Sequence, residues 1–214
     1  RIPDDGRDYP LPPGLGRFPL RHLDDVDPGL LEAWRRRGGV IMPLYQAEAM
    51  WISFSKGGYP FALKIATGKI NAVTGEDWRA GLNLDPQDYL VLPSQPWLDG
   101  YCVQRGAIRQ FVAMALGEGY TAEEQLTGSA ETGGLQILIH PMKAARYEAM
   151  MQARRRAPSL DHFGPAGFPL PPPRAKAPAA MGLAPGGRMN QEVFEAPYGL
   201  GAWDLRHSSR CFIS

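Results

Sequence analysis

Two cysteines and four histidines are the side chains of this sequence best suited to bond-making, and their spacing limits what they can do. A thiolate with an imidazole as its base makes a nucleophile, and Cys102 or Cys211 with His140 or His207 supplies those residue types. Cys211 stands between Arg210 and Phe212 in a strand pattern, where a thiol usually behaves as a small core hydrophobe, and that reading is favoured. Ser208 and Ser209 follow His207, yet no G-x-S-x-G elbow occurs in the chain, so a serine hydrolase lacks its best support. His22, His140, His162 and His207 are scattered, with no His or Cys pair at the short spacing of a zinc site; no metal and no other cofactor is expected. The acidic groups Asp4, Asp5 and Asp8, and Asp24, Asp25 and Asp27, lack the spaced ligand positions of a calcium loop and read as helix caps and solvated charge.

Phosphate cradles need glycines leading straight into a helix, whereas Ala66-Thr67-Gly68-Lys69 leads into a strand pattern. Ala184-Pro185-Gly186-Gly187-Arg188 reads as a glycine turn entering a strand. The tryptophans are more suggestive. Trp51, Trp78, Trp97 and Trp203 stand beside Ser53, Asp77, Asp99 and Asp204, and an aromatic face with a carboxylate can hold a sugar ring or a cation. Trp51, Trp97, Asp99, Trp203 and Asp204 are therefore the candidate binding residues, set against plain core packing for the rings and turn closure for the acids. Glu48, Glu123, Glu124 and Glu131 offer carboxylates for glycoside chemistry, which needs two acids about 5 to 10 Å apart. Thr121 and Glu124 have capping-box spacing, so Glu123 and Glu124 read as solvated residues of a capped turn.

The elements that must position these groups follow from pattern. Five prolines before Leu23 predict an extended, proline-rich arm over residues 1–25 that is ordered by lying on the body and holds no helix. Asp27 as N-cap and Pro28 at the first turn predict a helix over 28–37 with Leu30, Leu31 and Trp34 on one face, stopped by Gly38 and Gly39. Strand patterns follow at 40–44, 50–54, 61–66, 69–73, 89–92, 108–114 and 135–140. In 61–66 the alternation sets Phe61, Leu63 and Ile65 against Ala62, Lys64 and Ala66. It predicts a half-buried strand turning at Thr67-Gly68 into 69–73 as a hairpin. A helix is expected over 143–156, with Tyr147, Met150 and Met151 inward. A Pro/Ala/Gly-rich insertion follows over about 157–187, then strands at 188–194 and 210–213. The fold class is α+β: a single domain over 26–214, mainly an antiparallel sandwich or partly open barrel with two peripheral helices.

At 214 residues and 44% hydrophobic the chain can bury a sizeable core, and 23 basic against 22 acidic side chains give no field to hold a polyanion. Nucleic acid is therefore not an expected partner. Two distant cysteines suit a reducing cytoplasm, and the longest apolar runs fall far short of the roughly 20 residues of a membrane helix. No secretory h-region opens the sequence.

The phrases MPLYQAEAMWISF (42–54), KIATGKINAVTGEDW (64–78), QDYLVLPSQPWLDGY (87–101), RQFVAMALGEGYTAEEQLTG (109–128), GLQILIHPMK (134–143) and MGLAPGGRMNQEVFEAPYGLGAWDLRHSSRCF (181–212) resemble a family of uncharacterised bacterial proteins. The resemblance implies no activity, cofactor or catalytic residue, and it implies that related chains run on past Ile213. What the residues themselves support is a non-enzymatic binding or self-assembly module, oligomerising through the arm or meeting another protein. The alternatives are a cysteine/histidine-dependent hydrolase or transferase and a carbohydrate-binding protein.

Overall fold

A computed structural model describes residues 7–9, 14–26, 32–54, 57–104, 107–129, 133–156, 188–189 and 191–214. Short strands β1 (Asp8–Tyr9) and β2 (Arg21–His22) lead to α1 (Glu32–Arg37), β3 (Val40–Ile41), β4 (Ala49–Met50) and β5 (Ile52–Ser53). The middle of the chain forms β6 (Phe61–Thr67), β7 (Ile70–Asn71), β8 (Leu90–Leu92), β9 (Trp97–Leu98), β10 (Gly100–Gln104) and β11 (Ala107–Val112). The rest supplies α2 (Ala122–Thr127), β12 (Leu135–Pro141), α3 (Ala144–Arg156), β13 (Arg188–Met189) and β14 (Ser209–Ile213).

One sheet runs β2-β3-β14-β12-β6-β7, with β8 also on β6; a second runs β1-β13-β11-β10, with β4 on β11; β5 and β9 form a small third. Only the β3–β14 and β1–β13 pairings among them are parallel, so the chain is α+β with mainly antiparallel sheet. Most strands fall within the stretches where alternation placed them, but 50–54 divides between β4 and β5, among the described residues only 188–189 of the expected 188–194 is strand, and β1, β2, β9 and β10 are added by the structure. The β6–β7 hairpin forms too, but Thr67 pairs with Ile70, so its loop is Gly68-Lys69, one residue later than expected. Gly68 takes φ +58°, a left-handed backbone that favours glycine.

The expectation of a half-buried strand fails at β6, because both of its faces are covered. Leu63 and Ile65 join Leu90, Leu98, Phe111 and Leu135 in the main core, which draws on all three sheets. On the other face Ala62 packs with Tyr89, Val91, Met142 and Trp203 in a second core. Tyr147 of α3 and Tyr198 close over that second core, and the Tyr59 ring stacks 4.4 Å from Tyr147 while its hydroxyl donates to the Met142 carbonyl. Between them Lys64, 1% exposed, is fully used: Nζ donates to the carbonyls of Arg79 and Gly81 and to Asp88, 5.1 Å from the Trp78 ring centre. A buried ammonium survives only with such partners, so Lys64 ties the 79–88 loop to the sheet.

The described part of the arm lies on its own chain. Asp8 and Tyr9 pair with Arg188 and Met189, and Arg21 and His22 pair with Ile41 and Val40. A 3-10 turn at Leu23–Asp25, with Leu23 buried, departs from an arm expected without helix. Helix α1 is seen from Glu32, and α3 matches the expected 143–156 to within a residue. The insertion at 157–187 lies outside the described residues, as do Glu131 and His162. Among the described residues no helix is long and apolar enough to cross a membrane.

Candidate functional site

The sheet register decides the thiol–imidazole pairing for Cys211. Cys211 stands opposite Ile137 across β14 and β12, so both side chains share the face that Ile137 and Ile139 turn to the main core. His140 is three residues further along and therefore lies on the other face, with Ala62 as its neighbour across β6. It is 4% exposed, with Nδ1 3.3 Å from the Asp204 carbonyl and Nε2 without a partner among the described residues. Cys102 is buried in β10, opposite Ile108 in the second sheet. His207 sits in an exposed turn that Asp204 closes: Oδ1 accepts from the amides of Arg206 and His207, and Oδ2 lies 2.8 Å from His207 Nδ1. Those hydrogen bonds, the His207 side chain first, hold the Asp204 carboxyl below its usual range. Among the described residues no three His, Cys, Asp or Glu side chains gather as metal ligands.

The tryptophans named as binding candidates serve separate places. Trp203 is fully buried in the second core, with Tyr89 and Tyr198 edge-on at 6.2 and 5.8 Å, so its ring is out of a ligand's reach. Trp51 lies beneath the arm, where a Cβ on Gly14 would stand 2.7 Å from Cη2. Trp97 lies in β9 opposite Ser53 and is the more exposed of the three. Asp99, 1% exposed, has Oδ1 without a partner among the described residues. Burial pushes its carboxyl up to about 6, against a hydrogen bond from the Trp97 side chain that lowers it. Its amide donates to Gln191, and Gln95 and Gln87 bind the backbone at Glu192, Phe194 and Ala196. This corner is a clamp on the 191–196 segment.

The two glutamates of the capped turn part company. Thr121 and Glu124 form the expected capping box, and Glu124 also accepts from the amides of Gly117 and Gly119. These bonds, Thr121's first, lower its carboxyl to about 2. Glu123, expected to be solvated, is 1% exposed and accepts from the Gly133 amide at 2.8 Å. Capping spacing says which acid reaches back to the cap and nothing about where its neighbour points. Glu48 accepts from the Tyr45 amide in a surface turn.

Glu123 leads to the feature that sequence reasoning missed, an open cavity of about 620 Å³. Met42 and Leu44 wall it after β3, and Met50, Phe111, Leu135 and Ile213 come from β4, β11, β12 and β14. Polar residues interrupt the apolar lining, among them Thr67, Tyr101, Arg109, Thr121, Glu123 and Gln125. Tyr101 stands directly opposite Arg109 across β10 and β11, with the Phe111 ring 6.1 Å from its own. Burial raises the Tyr101 pKa, partly offset by the Arg109 charge. Among the described lining residues there is no cysteine or histidine. In sequence the lining residues read as strand positions or as parts of the capped turn at Thr121–Glu124; recognising 100–104 as a strand would have set Tyr101 beside Arg109.

The volume lies within the roughly 300 to 1,000 Å³ of small-molecule pockets, and apolar walls with a few polar groups are the usual chemistry of such sites. Comparison with family models, with curated proteins and with solved structures finds no match, so the functional reading rests on this geometry.

Proposed function

We propose that the protein is a binding module that holds one small, mainly apolar molecule in the cavity walled by Met42, Met50, Phe111 and Leu135. The observation that carries this is the lining itself: a volume of about 620 Å³ bounded by apolar side chains from several strands, where close packing would otherwise leave no such space. Among the described residues the thiols and imidazoles do not line the cavity, and its apolar walls are suited to holding a molecule. The arm, whose described strands pair within its own chain, supports a role in closing the body more than in reaching a neighbour.

The test is a titration with Nile red, a neutral apolar dye. Saturable fluorescence with one site per chain is expected, and Ala113→Phe, which adds a ring to the cavity wall, should weaken it at least tenfold while the far-UV spectrum is kept. Absence of saturable binding, or binding untouched by the added ring, would remove the proposal.

A further inference from the structure

Resting on the cavity reading, we infer that the bound molecule is uncharged and carries a carbonyl-type oxygen that accepts a hydrogen bond from the Tyr101 hydroxyl. Tyr101 lines the cavity and packs on the main core, with the Phe111 ring 6.1 Å from its own. Among the described residues its hydroxyl makes no hydrogen bond. A tyrosine hydroxyl held largely away from water usually has a partner, because an unmade bond leaves a desolvated donor. Burial raises the pKa of this one, so at neutral pH it keeps its proton and can donate it.

Most other polar groups of the lining are engaged or out of reach. Arg109 and Glu123 each have partners within the chain already, the Gly133 amide being one for Glu123. Thr121 exchanges hydrogen bonds with Glu124 in the capping box, and Gln125 Nε2 donates to the Tyr120 carbonyl. Thr67 Oγ1 and the Gln110 side-chain amide have no partner among the described residues, but these atoms are fully buried and do not meet the open space. A charged ligand would enter apolar walls whose arginine and glutamate are already in use, and an ion without its own counter-charge is costly there. An uncharged molecule with one acceptor matches what the lining offers.

The test compares three molecules of similar shape by displacement of Nile red from the full chain: butyrophenone, butylbenzene, in which a methylene replaces the carbonyl, and the anion para-propylbenzoate. Butyrophenone should bind about fivefold more tightly than butylbenzene, the increment expected of one neutral hydrogen bond, and para-propylbenzoate should be the weakest. Tyr101→Phe keeps the ring and its packing and should remove the preference for the ketone. Infrared difference spectra give a second reading that needs no variant: the carbonyl stretch of bound butyrophenone should fall below its frequency in hexane. Equal binding of ketone and hydrocarbon, with the stretch at its hexane value, would overturn the assignment and leave the cavity reading standing. Tightest binding of para-propylbenzoate would overturn it in favour of an anionic ligand. Failure of all three to displace saturably bound Nile red would overturn it with the cavity reading intact, whereas failure of Nile red itself to bind would remove both.

Discussion

Glu123 packs onto Gly68 so closely that a Cβ at position 68 would lie 2.5 Å from its Oε2 and 2.9 Å from its own Cβ. Position 68 also has φ +58°, so two independent constraints call for glycine there. Gly68→Ala should cost about 2 kcal/mol, from left-handed backbone strain and overpacking together. It should also move the cavity wall. Chemical denaturation measures the first effect; a Gly68→Ala chain as stable as the wild type would show that this contact is not close in solution.

Asp99 makes stability fall as pH rises across the acid range. Its folded pKa of about 6 lies above the ordinary 3.8, so the folded chain holds a proton there that the unfolded chain has released. Stability from this group is full below about 3.8, declines as pH rises to about 6, and is then level, a loss of about 3 kcal/mol. Asp99→Asn should be the more stable chain at neutral pH and lack that slope. Urea midpoints for both chains between pH 4 and 7 check it, and parallel profiles would rule the assignment out.

The capping box should act in the other direction. Glu124 has its carboxyl lowered from 4.5 to about 2, so its support of α2 is complete above about 4.5 and is lost as pH falls toward 2. Thr121→Ala removes the hydroxyl that both accepts from the Glu124 amide and donates to its carboxylate, at a cost of about 1 kcal/mol. Hydrogen exchange of the 122–127 amides should accelerate in that variant, and unaltered exchange would contradict the box.

Lys64→Met keeps the volume of the side chain and strips Asp88 of its buried partner, which should cost about 3 to 5 kcal/mol. Adding Asp88→Asn should recover part of the loss. Thermal unfolding of the single and double variants tests this, and a near-neutral Lys64→Met would mean that the 79–88 loop is held by other contacts.

Local pattern made most of the fold legible. The β6–β7 hairpin, α3, the Thr121–Glu124 box and the strand that begins at Leu135 were all readable, because alternation, cap spacing and helix composition act over a few residues. Lys64 looked like a solvent-facing residue because its partners, Arg79, Gly81 and Asp88, meet it only through the tertiary fold. Trp203 beside Asp204 looked like a binding pair, yet the ring fills the second core while the acid closes a surface turn with His207. The candidate site was the least legible part. Its walls come from segments far apart in the chain, and apolar residues that border a cavity have the same sequence signature as residues that fill a core. Cys211 and His140 illustrate the converse: suitable types, a few residues apart in pairing, and turned to opposite faces by the strand period of two.

The claim that the cavity is a ligand site is tested most directly by methyl NMR of the methionines during titration with Nile red. Met42, Met50 and Met114 line the cavity, whereas Met150 and Met151 lie on α3 away from it. The expected result is saturable shifts at Met42, Met50 and Met114 with Met150 and Met151 unmoved. Shifts confined to the α3 methionines, or none at all, would contradict it.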